Sequence, residues 1–434
     1  MIEILEKFNF WNSPPGQVGY FRKDYIELFS RYIGNSMIKV ISGQRRVGKS
    51  YLFRLFINWL MTQKKIPPNN IFYLNKDIFE LDFINTSQKL QLVIETYMDH
   101  LKPEGTIYLF LDEIQEIKGW EKVVNSFSQH YVDRFEVFIT GSNANLLSTE
   151  LSTYLTGRYL LFNVFPFSYS EYLGFYNIER HKVSYIDYLK YGGMSETYSL
   201  HDIEIKQNYY QNLRDAILLK DIVKRYQIRD VNLLEKLVMF IIDSIGSYLS
   251  VNKIVKHLKT NHYKATNETI GAYLSYLKDA YFIHESERYD IKGKKILTGE
   301  RKYYLNDLGF KYYLTSSFDF GIGKFLENLI YLDLLRSGYN VYTGKIAGKE
   351  IDFIAEKDNE KKYIQVAYVL ADDRVIQREF GNLELIPDNY EKMVVSLDDI
   401  QMGNRNGIKH VNAWTFADLS LRSNNGVSLS TLKS

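Results

Sequence analysis

The 434-residue chain contains no cysteine. That absence excludes a disulfide framework, a thiolate metal site and a cysteine nucleophile, so any nucleophile must be oxygen, nitrogen or water. No apolar run approaches the roughly 18 residues that span a bilayer. The opening MIEILEKFNF places acids where a secretory leader needs bases. A cytoplasmic protein with no membrane partner is expected. Proline is scarce, at 7 residues, and neither charge predominates: 54 Lys+Arg stand against 52 Asp+Glu, a net +2. That total decides nothing about partners, because a balanced chain can hide a basic domain beside an acidic one.

What is present is the composition of a folded chain, with 45% hydrophobic and 24% charged residues. Disorder over most of the length is excluded. At about 100 to 200 residues per domain, two to four domains are expected, each able to bury its own core. The 36 Tyr and 26 Phe accompany a general bias toward Lys, Ile and Asn. They read as composition rather than as a platform for bases, which uses a few placed rings.

The fold class is α/β. Short apolar runs at Met37 to Ile41, Ile71 to Leu74, Ile107 to Leu111, Phe135 to Ile139 and Tyr159 to Val164 alternate with helical segments. A parallel sheet covered on both faces requires this pattern. Residues 1–180 form the first expected domain and 181–230 a helical lid or connector. Residues 231–310 follow as three helices and a hairpin around IKGKK, the order of a winged helix. There Ser250 is placed to cap Val251 to Leu258, and Asn267 begins the third helix. Residues 311–425 form a second α/β domain, with a polar, frayed end.

Gly43-Gln44-Arg45-Arg46-Val47-Gly48-Lys49-Ser50 matches G-x-x-x-x-G-K-[ST], directly after the strand MIKVIS and before the helix YLFRLFINWL. Glycines let successive N–H groups turn inward on phosphates, and the helix N-terminus adds partial positive charge. Lys49 is expected on the β- and γ-phosphates, and the Ser50 hydroxyl on Mg²⁺.

The strand TIYLFLDEIQ places Asp112 and Glu113 at its carboxyl end, Asp112 to hold Mg²⁺ and Glu113 as general base. The run Ile71 to Leu74 is expected to insert between the two motif strands, which makes this the additional-strand, catalytic-glutamate class of P-loop fold. Thr140, Ser142 and Asn143, at the end of FEVFITGSN, compete to sense the γ-phosphate, and Asn143 is carried among the nucleotide-binding residues. Arg158 is a candidate for adding positive charge to the γ-phosphate, in cis or to a neighbouring subunit.

Together GQRRVGKS, LDEIQ, ITGSNANLL, LTGR, FPFSYSEYL and YGGMSE resemble the widespread prokaryotic AAA-type ATPases, which join a P-loop domain to a winged helix and a C-terminal domain of poorly defined function. The resemblance covers nearly the whole chain. It implies ATP binding and hydrolysis, without naming a target.

Between Ile245 and Lys302 eleven bases face six acids, a local excess of five positive charges. Lys253, Lys256 and Lys259 on one helix and the lysines of IKGKK are placed to meet a phosphate backbone. The recognition-helix segment NETIGAYLSYLKDA has few bases and begins with an acid, which disfavours reading of base edges. Farther on, Glu327 on a helix, EIDF with Glu350 and Asp352, and YIQVAY with Gln365 resemble the restriction-endonuclease-like core, in which acids and a lysine gather around Mg²⁺. Here Gln365 stands for a carboxylate and Ala367 for the lysine, so a retired nuclease site is expected.

The leading expectation is a Mg²⁺-dependent ATPase whose turnover switches the winged-helix and C-terminal domains. A nucleotide-gated binding module for nucleic acid or protein is the alternative, and an ATP-dependent nuclease the least favoured reading. An oligomer is allowed, because a finger in trans needs a neighbour.

Overall fold

Five short runs supply the first sheet because each is apolar along its whole length. In the computed structural model they are strands β1 (Ile38–Ser42), β2 (Ile71–Asn75), β3 (Ile107–Asp112), β4 (Phe135–Gly141) and β5 (Tyr159–Asn163). Every residue of β1 to β4 is buried, as expected for parallel strands with helices on both faces. The structure describes residues 1–16, 19–130, 135–143, 158–315, 321–399 and 402–416, so the frayed end expected from the sequence lies outside the described residues. The chain divides into two compact units after Val164.

In the first unit the sheet order is β2-β3-β4-β1-β5, with all pairings parallel. One strand does separate the two motif strands, but it is β4. The run Ile71 to Leu74, expected there, pairs instead with the outer side of β3, Asn75 opposite Asp112. All five runs are apolar enough for any place in the sheet, so apolarity alone cannot order them. The N-terminal segment covers the β2 edge: the Asn9 carboxamide accepts from Tyr73 N at 2.7 Å, and Trp11 Nε1 donates to Ile71 O at 2.8 Å.

The second unit opens with helices α6 (Tyr169–Tyr176), α7 (Lys182–Tyr191) and α8 (Ile203–Ala216), the last continuing through a π-helical stretch, Ile217–Val223. Here the tyrosines are core. Tyr188, Tyr198 and Tyr210 are buried, and their hydroxyls donate to Phe167 O, Gly192 O and Asp307 Oδ1 at 2.6, 3.0 and 2.7 Å. Next come α9 (Val231–Asp243), α10 (Val251–Thr260) and α11 (Asn267–Asp279), then β7 (Ile283–Asp290) and β8 (Lys295–Leu305). Ser250 caps α10 as expected, whereas α11 is capped by Thr266, one residue before Asn267.

The β7–β8 hairpin is part of a larger sheet. After α12 (Gly309–Thr315) and α13 (Ile322–Arg336), strands β9 (Asn340–Ile346), β10 (Lys349–Lys357), β11 (Glu360–Ala367) and β12 (Glu391–Ser396) follow, with α14 (Asp373–Glu384) crossing from β11 to β12. Strand β7 pairs in parallel with β9, Arg288 opposite Thr343, and β8 carries the two-residue β6 (Tyr248–Leu249) on its other side. Among the described residues, one nine-stranded sheet thus joins the hairpin to the C-terminal strands.

Candidate functional site

The phosphate loop turns between β1 and helix α3 (Lys49–Thr62). Two glycines are needed there for different reasons. A Cβ at Gly43 would lie 2.3 Å from Val164 O, and Gly48 has a φ of 93°, which side chains resist. The loop is held from behind by Arg22, whose Nη1 donates to Val47 O at 3.1 Å while its guanidinium lies 4.5 Å from the Tyr25 ring centre. Gln44 and Val47 are buried, Arg45 is half-buried and Arg46 exposed.

Lys49 folds back into the loop, where Nζ donates to Gly43 O at 3.0 Å and to Gln44 O at 3.2 Å. The same nitrogen is 3.9 Å from Glu113 Oε1. The Ser50 hydroxyl is hydrogen-bonded to Asp112. That carboxylate is 1% exposed. Its Oδ1 accepts from Thr140 Oγ1 at 2.5 Å, and its Oδ2 from Tyr73 OH at 3.0 Å. Burial raises its pKa above the usual carboxylate value, and the charge of Glu113 adds to this; the Thr140, Ser50 and Tyr73 hydroxyls pull the other way.

Glu113 is a non-glycine residue at a φ of 53°, a conformation costing about 1–3 kcal/mol. It is fixed there partly by its own amide, which donates to Thr140 Oγ1 at 2.9 Å. Thr140 therefore touches both members of the acidic pair, one through each role of its hydroxyl. Ser142 and Asn143 are buried just past the end of β4. The Gln115 amide nitrogen donates to Glu113 Oε2.

In the second unit many of the bases counted from sequence are spent internally. Lys253 and Arg288 pair with Glu300, Lys278 with Glu285, and Arg301 with Glu285 and Glu287. Lys256, Lys259, Lys264, Lys292, Lys294 and Lys295 are exposed and enter no ion pair among the described residues. At the C-terminal end of the recognition-helix segment α11, Tyr276 stacks on Tyr226 with centroids 3.7 Å apart and Asp279 accepts from the Tyr226 hydroxyl at 3.0 Å, while Asn267 and Glu268 at its N-terminal end are exposed.

Glu327 of α13 and Glu350 and Asp352 of β10 do converge, as the sequence anticipates, but around a residue it does not. Lys302 of β8 is 2% exposed; its Nζ donates to Glu327 Oε1 at 2.7 Å and lies 2.5 Å from Glu350 Oε1. Burial drives the Asp352 carboxyl up to about 8, with the Glu327 charge adding and Lys302 opposing. Gln365 does not act as a ligand there. Its amide oxygen accepts from Asp352 N at 2.8 Å and its amide nitrogen donates to Glu379 Oε2 at 2.7 Å, so both ends are committed. No group of three or more acids or histidines among the described residues is arranged to hold a metal ion.

An AAA domain family model matches residues 35–173, and a Domain of unknown function (DUF8612) matches residues 182–320. A Haemophilus influenzae protein, called only an uncharacterized protein, is 35% identical over 379 residues, 86% of this chain and 92% of its own length. The chain belongs to the prokaryotic AAA-type P-loop ATPase family. A second relative, the uncharacterized protein MJ1544 of Methanocaldococcus jannaschii, is 31% identical over 388 residues, covering 83% of this chain and 82% of its own. Among solved structures, the Walker-type ATPase PABY2304 of Pyrococcus abyssi aligns over 68% of this chain and 95% of its own, with 14% identity and a TM-score of 0.46. No helix among the described residues is long and apolar enough to cross a membrane.

In this AAA-type ATPase the sequence-expected residues Gly43 to Ser50, Asp112, Glu113 and Thr140 gather at the carboxyl ends of β1, β3 and β4. Arg158 does not join them. It is exposed and directly precedes Tyr159, which pairs with Ile38 at the amino end of β1. The five-residue strand separates it from the loop by about 16 Å, so a role in cis at this site is overturned. Sequence reasoning missed Tyr73, Arg22 and Gln115. Only the β2–β3 register reveals Tyr73, and that register was not legible once its strand was expected elsewhere.

Proposed function

We propose that the first unit binds ATP with Mg²⁺ and hydrolyses it, and that turnover switches the winged-helix and C-terminal segments. The observation that supports this most is the convergence of Lys49, Ser50, Asp112, Glu113 and Thr140 on one water-poor site. On taking phosphate oxygens Lys49 gives up the Gly43 and Gln44 carbonyls and its approach to Glu113. Ser50 and Asp112, already hydrogen-bonded to each other, fit a Mg²⁺ ion whose other ligands are phosphate oxygens and water. When bound, that ion supplies positive charge to the β- and γ-phosphate oxygens. Glu113 takes the proton of the attacking water, and Thr140 keeps the base aligned with Asp112. Asn143, three residues beyond Thr140 and buried, is the further residue proposed to meet the nucleotide. The role left to Arg158 is in trans, at the site of a neighbouring copy of the chain.

A second reading, a nucleotide-gated binding module with slow turnover, draws support from Glu113 being engaged by Gln115 and Lys49. In either reading the partner of the second unit is nucleic acid, met through backbone phosphates at Lys256, Lys259, Lys292, Lys294 and Lys295, or a protein. The test of nucleotide binding is Lys49→Ala. Its affinity for a fluorescent ATP analogue should fall by about 100-fold, the equivalent of roughly 2.7 kcal/mol. Unchanged affinity would remove Lys49 from the phosphate site.

A further inference from the structure

The C-terminal acids resemble a metal site, yet their arrangement does not fit one. Glu327 Oε1 accepts both from Lys302 Nζ at 2.7 Å and from Tyr304 OH at 2.8 Å, which occupies its two lone-pair directions. Glu327 Oε2 faces Lys324 Nζ at 3.5 Å, and that ammonium also donates to Gly246 O at 2.6 Å. Glu350 Oε1 lies 2.5 Å from Lys302 Nζ, and Asp352 Oδ2 accepts from Val366 N at 2.8 Å. Four of the six carboxylate oxygens therefore already face donors.

The charges agree with the geometry. Lys302 and Lys324 bring two positive charges to three carboxylates, as much as one divalent ion would bring. A further divalent ion would change the formal charge of the cluster from −1 to +1 beside the buried Lys302 and Glu327, and burying unbalanced positive charge is costly. The lysine also comes from an unexpected place. It lies on β8, in the hairpin beyond the acid-bearing elements, opposite Tyr248 of β6, whose ring centre is 5.2 Å from its Nζ.

We propose that Lys302 is the resident cation of this acid cluster: its ammonium replaces the divalent ion and fastens the β7–β8 hairpin to α13 and β10. The cluster is then an ionic lock within the second unit and not a phosphodiester-cleaving centre. This inference is independent of the ATPase reading.

The experiment measures Mn²⁺ binding by the loss of the free-ion electron paramagnetic resonance signal. It uses nucleotide-free full-length chain carrying Asp112→Asn, to weaken the phosphate-loop site. This parent and its Asp352→Asn derivative should bind Mn²⁺ alike. Adding Lys302→Met should lower the melting temperature and create a site at least 10-fold tighter than any in the parent, abolished when Asp352→Asn is also present. A Mn²⁺ ion bound by the parent and lost with Asp352→Asn would overturn the proposal, as would a folded Lys302→Met chain with unchanged melting temperature or no gained site. If Lys302→Met does not fold, the parent and Asp352→Asn comparison decides alone: equal binding upholds the lock, and an Asp352-dependent ion refutes it.

Discussion

At the scale of single residues, the acidic pair works through its neighbours. Asp112 receives hydroxyl hydrogen bonds from Thr140, Tyr73 and Ser50, while Thr140 also takes the Glu113 amide. Removing the Tyr73 hydroxyl leaves the carboxylate buried with one donor fewer and its Oδ2 less firmly held. Tyr73→Phe should raise the Mg²⁺ concentration for half-maximal ATPase activity by about 10-fold, the low end for loss of a group supporting a metal ligand. A Mg²⁺ titration of turnover that matches the parent would show the hydroxyl to be incidental. Lys49, Ser50, Asp112 and Glu113 were legible because their motifs sit at strand ends, where local sequence alone fixes the position. Tyr73 was not, since its role depends on which strand lies beside β3.

Among the elements, β4 decides the geometry of the first unit by separating β1 from β3 and carrying Thr140 between the loop and the acids. A second β1–β4 link lies lower in the sheet. Lys39 is fully buried and ion-paired with Glu136, which also accepts from Gly34 N at 2.5 Å and Asn35 N at 3.2 Å. Burial lowers the Lys39 pKa, and Glu136 counters that loss. Lys39→Met would strand the Glu136 carboxylate and should cost about 3–5 kcal/mol by urea unfolding; pairing it with Glu136→Leu should recover most of the loss. A single-variant cost under about 1 kcal/mol would contradict a buried, compensated pair. Sequence alone did not pick out Lys39 inside the apolar run MIKVIS, whose partner lies on a strand almost a hundred residues away. In the second unit the hairpin around IKGKK was legible from its Lys-Gly turn. That β7 pairs with β9 was not, because no local pattern records which edge a hairpin offers.

Across the whole molecule, the net charge of +2 conceals a segment of positive excess, and the structure narrows that segment to the lysines left outside its ion pairs. With Lys278 the one base on α11 and that base paired with Glu285, contact with nucleic acid would be to phosphates. Replacing Lys292, Lys294 and Lys295 together with Glu should weaken duplex DNA binding about equally for unrelated sequences. It should also flatten the logarithmic salt dependence by about 0.9 for each phosphate no longer neutralised. Anisotropy titrations at several salt concentrations would show this; weakening confined to one sequence would point to base reading instead. The most direct test of the central claim is steady-state Mg²⁺-ATP hydrolysis by the parent and by Glu113→Gln, with nucleotide binding measured on the same samples. The predicted result is a fall in turnover of at least about 100-fold, in line with loss of a general base, with ATP still bound; unaltered turnover in Glu113→Gln would contradict the account.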